Sequence, residues 1–143
     1  MKIFVHDKIS AVSAEDWNAL STPLSPFISH EFLLALENHH CVGEQSGWIP
    51  HHVALYSDTD VLLAAVPMYL KFNSYGEFVF DWAWADAYQR SGLRYYPKLL
   101  IGSPYSPVPG ARILLRDGHD HKSRDIIIAQ IRKIANDLST SSI

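Results

Sequence analysis

Lys71, Arg94, Lys98 and Arg112 fall within one stretch, Val66 to Arg112, that also carries Glu77, Asp81, Asp86 and six of the seven tyrosines. Cations at strand ends and aromatic turns suit phosphate or carboxylate groups, and arginine grips either with two parallel hydrogen bonds. Tyr75, Trp82, Tyr88, Tyr95 and Tyr96 would add flat apolar walls with polar edges, the lining a ligand pocket needs. Lys71, Lys98 and Arg112 are the candidate substrate cations among these walls. Asp81 or Asp86 would act as general base toward an attacking amine if burial raised its pKa. A plainer reading stands beside this one. Each cation is solvated or paired with Glu77, Asp81 or Asp86, and the aromatics edge a wet core. Composition alone favours the plainer reading, and for Arg90, four residues after Asp86, a surface ion pair wins outright.

Other reactive residues build less. Among the eight histidines, His119-x-His121 is half of a metal site, and His51 and His52 point to opposite faces of a strand. No cysteine or carboxylate stands at a zinc-site spacing from either pair, so no metal is expected. Cys41, beside His39 and His40, is the only cysteine: it excludes an internal disulfide and reads as an inert thiol. There is no nucleophile elbow.

The elements that must position these residues come from a chain of 143 residues, long enough for one domain. Its net charge of −3 and pI near 6.2 lack the basic face of a nucleic-acid protein, so no DNA partner is expected. The start, MKIFVHDK, is too short an apolar run for a signal peptide, and no segment reaches membrane-spanning length, which predicts a cytoplasmic protein.

Lys2–His6 alternates as a strand; Ser13 caps a short helix and Ser29 a second one over His30–Asn38. Ser21, Pro23, Ser25 and Pro26 enforce a connection between them, and the loop Cys41–Pro50 has Trp48 as its anchor. His51–Tyr56 and Val61–Phe72 read as strands, the second apolar on both faces and therefore covered by helices on both sides. Asn73–Gly76 makes a turn into a partner strand, Glu77–Asp81, with the register open by one residue, so a shared face for Lys71 and Asp81 stays undecided. A helix follows over Trp82–Ser91, then strands Lys98–Gly102 and Ala111–Arg116 around a proline-rich loop. Arg124–Leu138, capped by Ser123, is the clearest helix, and residues 139–143 read as a disordered tail. The order describes an α/β layer domain over residues 1–138.

The runs PFISHEFLLALE, GEQSGWIPHH, AAVPMYLK, YLKFNSYGEFVFDWAWADAY and GLRYYPKLLIGSPYSPVPGARIL occur in this order. Together they resemble the FemAB-like family of GNAT-related acyltransferases, tied to peptidoglycan biosynthesis or recognition. The resemblance implies a GNAT-like (acyl-CoA N-acyltransferase-like) α/β fold, a mixed, largely antiparallel sheet with helices on both faces. It implies transfer of an acyl or aminoacyl group to the amine of a cell-wall precursor, with a muropeptide-like substrate and an aminoacyl-tRNA as donor. Family members resemble two such halves in tandem, and this chain resembles the first. Activity by this chain alone is therefore not expected, the tRNA donor would be engaged through the second half, and a non-catalytic module binding a phosphate- or peptide-bearing ligand remains the alternative. The nearest approach to a GNAT pyrophosphate loop, Gln89-Arg90-Ser91-Gly92-Leu93-Arg94, lies at a helix end instead of a start, so neither acetyl-CoA nor another cofactor is expected. A lone half would expose the face its partner half covers. Ile126 and Ile128 flank Ile127 beyond a single apolar stripe, which predicts a symmetric homodimer.

Overall fold

The computed structural model describes residues 1–20, 25–78, 81–118 and 120–143. In chain order the elements are β1 (Lys2–His6), α1 (Ala14–Asn18), α2 (His30–Asn38), β2 (Trp48–Pro50), β3 (His52–Tyr56), β4 (Leu62–Val66), β5 (Met68–Lys71), α3 (Trp82–Arg90), β6 (Lys98–Ile101), β7 (Leu114–Leu115) and α4 (Asp120–Asp137). They form a four-stranded sheet, β1-β3-β4-β7, and a three-stranded sheet, β2-β5-β6. Every ladder within them is antiparallel.

The single strand expected over Val61–Phe72 is two strands in two sheets. Pro67 has no N–H to give a ladder, and the chain bends there. Two bonds bridge the bend: His51 N–H donates to Met68 C=O at 2.8 Å, and Gly102 N–H donates to Pro67 C=O at 3.1 Å. β2, inside what reads in sequence as a loop, bends into β3 at the same level.

Helices cover both sheet faces, as the two-faced burial of β4 requires. On one side α4 seats Ile127, Ile131 and Ile134 against Val53, Leu55, Leu63, Val66, Met68 and Leu99. On the other, Trp17 of α1 and Leu33 of α2 pack with Ile9 and Leu20 on Ala54, Leu62, Ala65 and Leu114. Fully burying each such aliphatic side chain contributes about 1.5–3 kcal/mol. Trp17 satisfies its indole N–H on Ile28 C=O at 2.9 Å. Ser13 and Ser29 cap α1 and α2 as expected, accepting from Asp16 N–H at 3.2 Å and Phe32 N–H at 3.3 Å. Glu37 ties α2 to the sheet: its carboxylate accepts Ile9 N–H at 2.9 Å and lies 3.1 Å from His52 Nε2.

Four expectations are corrected. Glu77, Phe78 and Asp81 are not strand; positive φ of 77° at Gly76 and 57° at Phe78 turns the chain away, and β5 pairs instead with β2 and β6. The strand expected over Ala111–Arg116 shortens to β7, an edge strand. Ser123 is buried inside α4, which starts at Asp120, so it caps nothing. Residues 139–143 are not loose: Ser141 N–H donates to Pro97 C=O, and Leu99 N–H to Ser142 C=O, both at 3.0 Å. Of the surplus isoleucines, Ile126 packs into the chain's own core and Ile128 is 40% exposed. The expectations placed on Ser21, Pro23, Val79, Phe80 and His119 lie outside the described residues.

Candidate functional site

β5 and β6 place Lys71 directly opposite Lys98, and both side chains are buried. Two ammonium groups facing each other across a sheet repel, and each costs several kcal/mol to desolvate unpaired. The turn after β5 supplies the remedy. Glu77 lies between them, with Oε2 2.7 Å from Lys98 Nζ and Oε1 3.6 Å from Lys71 Nζ. Asp81, just before α3, adds a second carboxylate whose Oδ2 accepts from Lys98. The order Lys71, Glu77, Lys98, Asp81 thus alternates charge from the interior to the rim.

The turn is fixed from below. Lys71 Nζ donates to Tyr75 C=O at 3.0 Å and stands 3.8 Å from the centre of the Trp48 ring. Trp48 Nε1 donates to the same carbonyl at 3.0 Å, and Asn73 Oδ1 accepts Tyr75 N–H at 3.0 Å. Gly76 sits at φ +77°, and a Cβ there would meet the Tyr105 ring at 2.5 Å, so only glycine fits without rearrangement. The rim is aromatic. Tyr95 OH donates to Asp81 Oδ2 at 2.7 Å, Tyr96 OH shares a 2.7 Å bond with Ser74 Oγ, and Lys98 donates to that Oγ at 2.9 Å. Tyr88 and Tyr96 each meet Tyr95 edge-on, ring centres 5.1 Å apart.

Glu77, Asp81, Tyr95 and Lys98 line a cleft of about 440 Å³ together with Leu99, Leu100, Ile101, Arg112, Ser142 and Ile143. Arg112 spends two of its donors on Val108 C=O at 2.9 Å and Gly110 C=O at 3.2 Å. Among the described residues neither Asp81 Oδ1 nor Glu77 Oε1, both buried, accepts a hydrogen bond, but Glu77 Oε1 has the Lys71 ammonium 3.6 Å away. A buried carboxylate oxygen without a donor is costly, and a ligand ammonium would satisfy Asp81 Oδ1.

The electrostatics follow from burial and pairing. Burial lowers the Lys71 pKa to about 8, with Glu77 opposing the shift. At Lys98 burial also pulls down, but hydrogen bonds to Asp81 and Glu77 outweigh it and the pKa rises. Burial would raise Asp81, yet hydrogen bonds from Lys98, Ser74 and Tyr95 hold it below the usual carboxylate range. Tyr95 is pushed up by burial and by its bond to that carboxylate. Asp81 is therefore a firmly ionised acceptor and a weak proton acceptor.

Of the residues singled out in sequence, the structure gathers Lys71, Asp81, Tyr95, Tyr96, Lys98 and Arg112, with Tyr88 behind Tyr95. Tyr75 contributes its carbonyl, while its ring is 68% exposed against Trp82, 5.4 Å away. Asp86 stands apart, exposed and 2.9 Å from Arg90, which removes it as a buried base. Glu77, Ser74 and Trp48 were not singled out as site residues; the signal was a carboxylate six residues after a buried lysine, across a glycine turn. Within Gln89–Arg94, Gly92 N–H bonds Gln89 C=O at 3.0 Å and Leu93 N–H bonds Tyr88 C=O at 2.9 Å, closing the end of α3. Among the described residues no three of His, Cys, Asp and Glu gather as a metal site, and no helix is long and apolar enough to cross a membrane.

Residues 8–143 match a family model described as FemAB-like, peptidoglycan biosynthesis/recognition. Neither a curated protein nor a solved structure matches the chain.

Proposed function

From the premise that this chain belongs to the FemAB-like family of peptidoglycan biosynthesis/recognition proteins, we propose that the β6 cleft binds the amine-bearing peptide of a cell-wall precursor. In this reading the chain is the acceptor-binding half of an acyl- or aminoacyltransferase with a GNAT-like fold. Asp81 holds the acceptor ammonium, Tyr95 and Lys98 orient its carboxylate, and Arg112 takes a peptide carboxylate. An aminoacyl-tRNA donor would be engaged by a second half. The observation that carries the proposal is Asp81 Oδ1, a buried oxygen with no donor among the described residues, on a residue that lines the cleft. An ammonium N–H is the donor such an oxygen lacks.

A second reading has its own support. Amide formation requires the acceptor ammonium to lose a proton, and Asp81, held at a low pKa, is poorly suited to take it. A binding module that presents the peptide without transferring anything to it fits that electrostatics. Thermal unfolding with a uridine-diphosphate-linked muropeptide, and separately with CoA, tests the shared premise. A ligand at a hundred times its Kd stabilises by about 2.7 kcal/mol. Stabilisation by the muropeptide that Asp81→Asn abolishes supports the cleft; stabilisation by CoA alone overturns it. Transfer of label from aminoacyl-tRNA then separates enzyme from binding module.

A further inference from the structure

Two histidines face each other where β1 joins its sheet, and one carboxylate serves them. β1 pairs with β3 so that His6 lies directly opposite His52. Opposed residues of an antiparallel pair share a face, with Cβ atoms about 5 Å apart. His52 is fully buried against the rings of Trp17 and Tyr69, whose centres are 6.1 and 5.2 Å away. Its Nε2 lies 3.1 Å from Glu37 Oε1, and both oxygens of that carboxylate also accept Ile9 N–H. His6 Nε2 and His52 Nδ1 are buried with no hydrogen-bond partner among the described residues. A proton on His52 has Glu37 beside it. A proton on His6 gains no such contact.

We propose that this pair is an acid-sensitive latch: below neutral pH a proton on His6 drives β1 off β3 while the rest of the domain stays folded. Two imidazolium ions directly opposite each other repel, and a buried N–H without an acceptor adds its own cost. The charges nearby do not relieve His6. Its pKa is lowered from 6.5 by burial and by the charge on His52, which outweigh the pull of Asp7. Asp60 shares a shallow hollow with His6, Phe4 and Tyr56, but Lys2 Nζ holds its carboxylate at 2.7 Å. On α1, Asp16 lies 3.5 Å from Arg116; on α2, His30 Nε2 is bound to the Ile9 and Val12 carbonyls. Tyr69 of β5, raised by burial, carries no charge in this range. His51 is also lowered, by burial and then by His52, but it lies outside β1, so its proton acts on unfolding of the whole domain. A base whose pKa is lower in the closed state binds its proton better when open. Closure is therefore unaffected well above pH 6.5 and weakens as pH falls through it. Release costs little apolar burial, since Phe4 and Val5 are already 47% and 39% exposed. It stops at Ile9, which is fully buried and tied to Glu37, so residues 1–7 leave alone.

The test is hydrogen exchange of the whole chain at pH 7.5 and pH 5.5, each amide rate divided by its intrinsic rate at that pH. Over this interval an open form whose histidine titrates at 6.5 gains about tenfold on a closed form that stays unprotonated. Protection of the β1 amides should therefore fall about three- to tenfold, and at both pH values it should stay below that of Ala64 and Ala65 in β4. His6→Phe keeps a ring against Phe4 but has nothing to titrate, so its β1 protection should be the same at both pH values. His51→Phe should leave the β1 response intact. NMR titration of the His6 ring in the unmutated chain needs no variant, and the ring should protonate only below pH 6.5. A β1 response that survives His6→Phe, or one that disappears in His51→Phe, overturns the proposal. So does a His6 ring that protonates at or above pH 6.5. Equal protection of β1 and β4 at pH 5.5 would show that β1 leaves only when the whole domain unfolds, which also overturns it.

Discussion

Replacing Lys71 by methionine should change how stability responds to alkali more than it changes stability itself. Burial lowers the Lys71 pKa from 10.5 to about 8. Between these values the unfolded chain binds the proton more tightly than the folded one. The cost is therefore fully present below pH 8 and is relieved as pH rises toward 10.5. At about 1.4 kcal/mol per unit, the penalty is about 3 kcal/mol at pH 7 and about half that at pH 9.5. Lys71 alone thus makes the protein about 2 kcal/mol more stable at the higher pH. Tyr56, Tyr69 and Tyr95 oppose it. Burial raises all three, so their contribution is held below pH 10 and starts to be lost above it. Below pH 10 they take back only a small part of the gain. Lys98, also raised, gives up nothing until pH passes 10.5. The wild-type chain should therefore gain about 1–2 kcal/mol between pH 7 and pH 9.5 in urea unfolding at fixed salt, and Lys71→Met should gain nothing. Methionine fills a similar volume and leaves Glu77 paired with Lys98, so the difference in slope isolates the buried ammonium. Parallel slopes for the two proteins would refute the reasoning, because they would mean Lys71 is not the group being relieved.

Glu77→Gln leaves Lys71 and Lys98 opposed with only Asp81 to balance them, and should cost about 3 kcal/mol in the same assay; adding Lys98→Met should recover part of the loss. Gly76→Ala should cost more than Gly92→Ala. Both sites have positive φ, worth about 1–2 kcal/mol each to an alanine, but only at Gly76 does the new methyl strike a neighbour, the Tyr105 ring that donates to Cys41 C=O. Thermal melts should separate the two by several degrees. Glu37→Leu deprives the Ile9 N–H of its acceptor and should cost about 2 kcal/mol, read from the urea midpoint at constant m.

Local chemistry was legible where a residue acts on its neighbours. Ser13 and Ser29 cap the helices they precede, and Leu62–Val66, apolar on both alternating faces, is buried on both. The cations, Asp81 and the tyrosines beside them do converge. The pairing that brings them together joins Lys71 to Lys98, and nothing in local periodicity says that β6 rather than the next segment lies alongside β5. Register around Asn73–Gly76 could not be fixed because Phe78 takes a left-handed conformation that no phenylalanine advertises. Glu77 therefore looked like one more partner for a cation, when it is the group that makes two buried cations tolerable. Asp86 failed for the opposite reason: its spacing to Arg90 was the whole of its environment.

α3 buries none of its residues, and Trp84 on its surface is 67% exposed. A helix that hides so little apolar area gains little from staying folded against the sheet. It should open by itself, far more often than the domain unfolds, and its amide hydrogens should trade with solvent at rates unrelated to global stability. Asp81, the residue that leads into it, is also a wall of the cleft. A ligand that pins Asp81 removes one of the freedoms this opening needs. Occupancy of the cleft would then appear as slowed hydrogen exchange along Trp82–Arg90, at amides the ligand never touches.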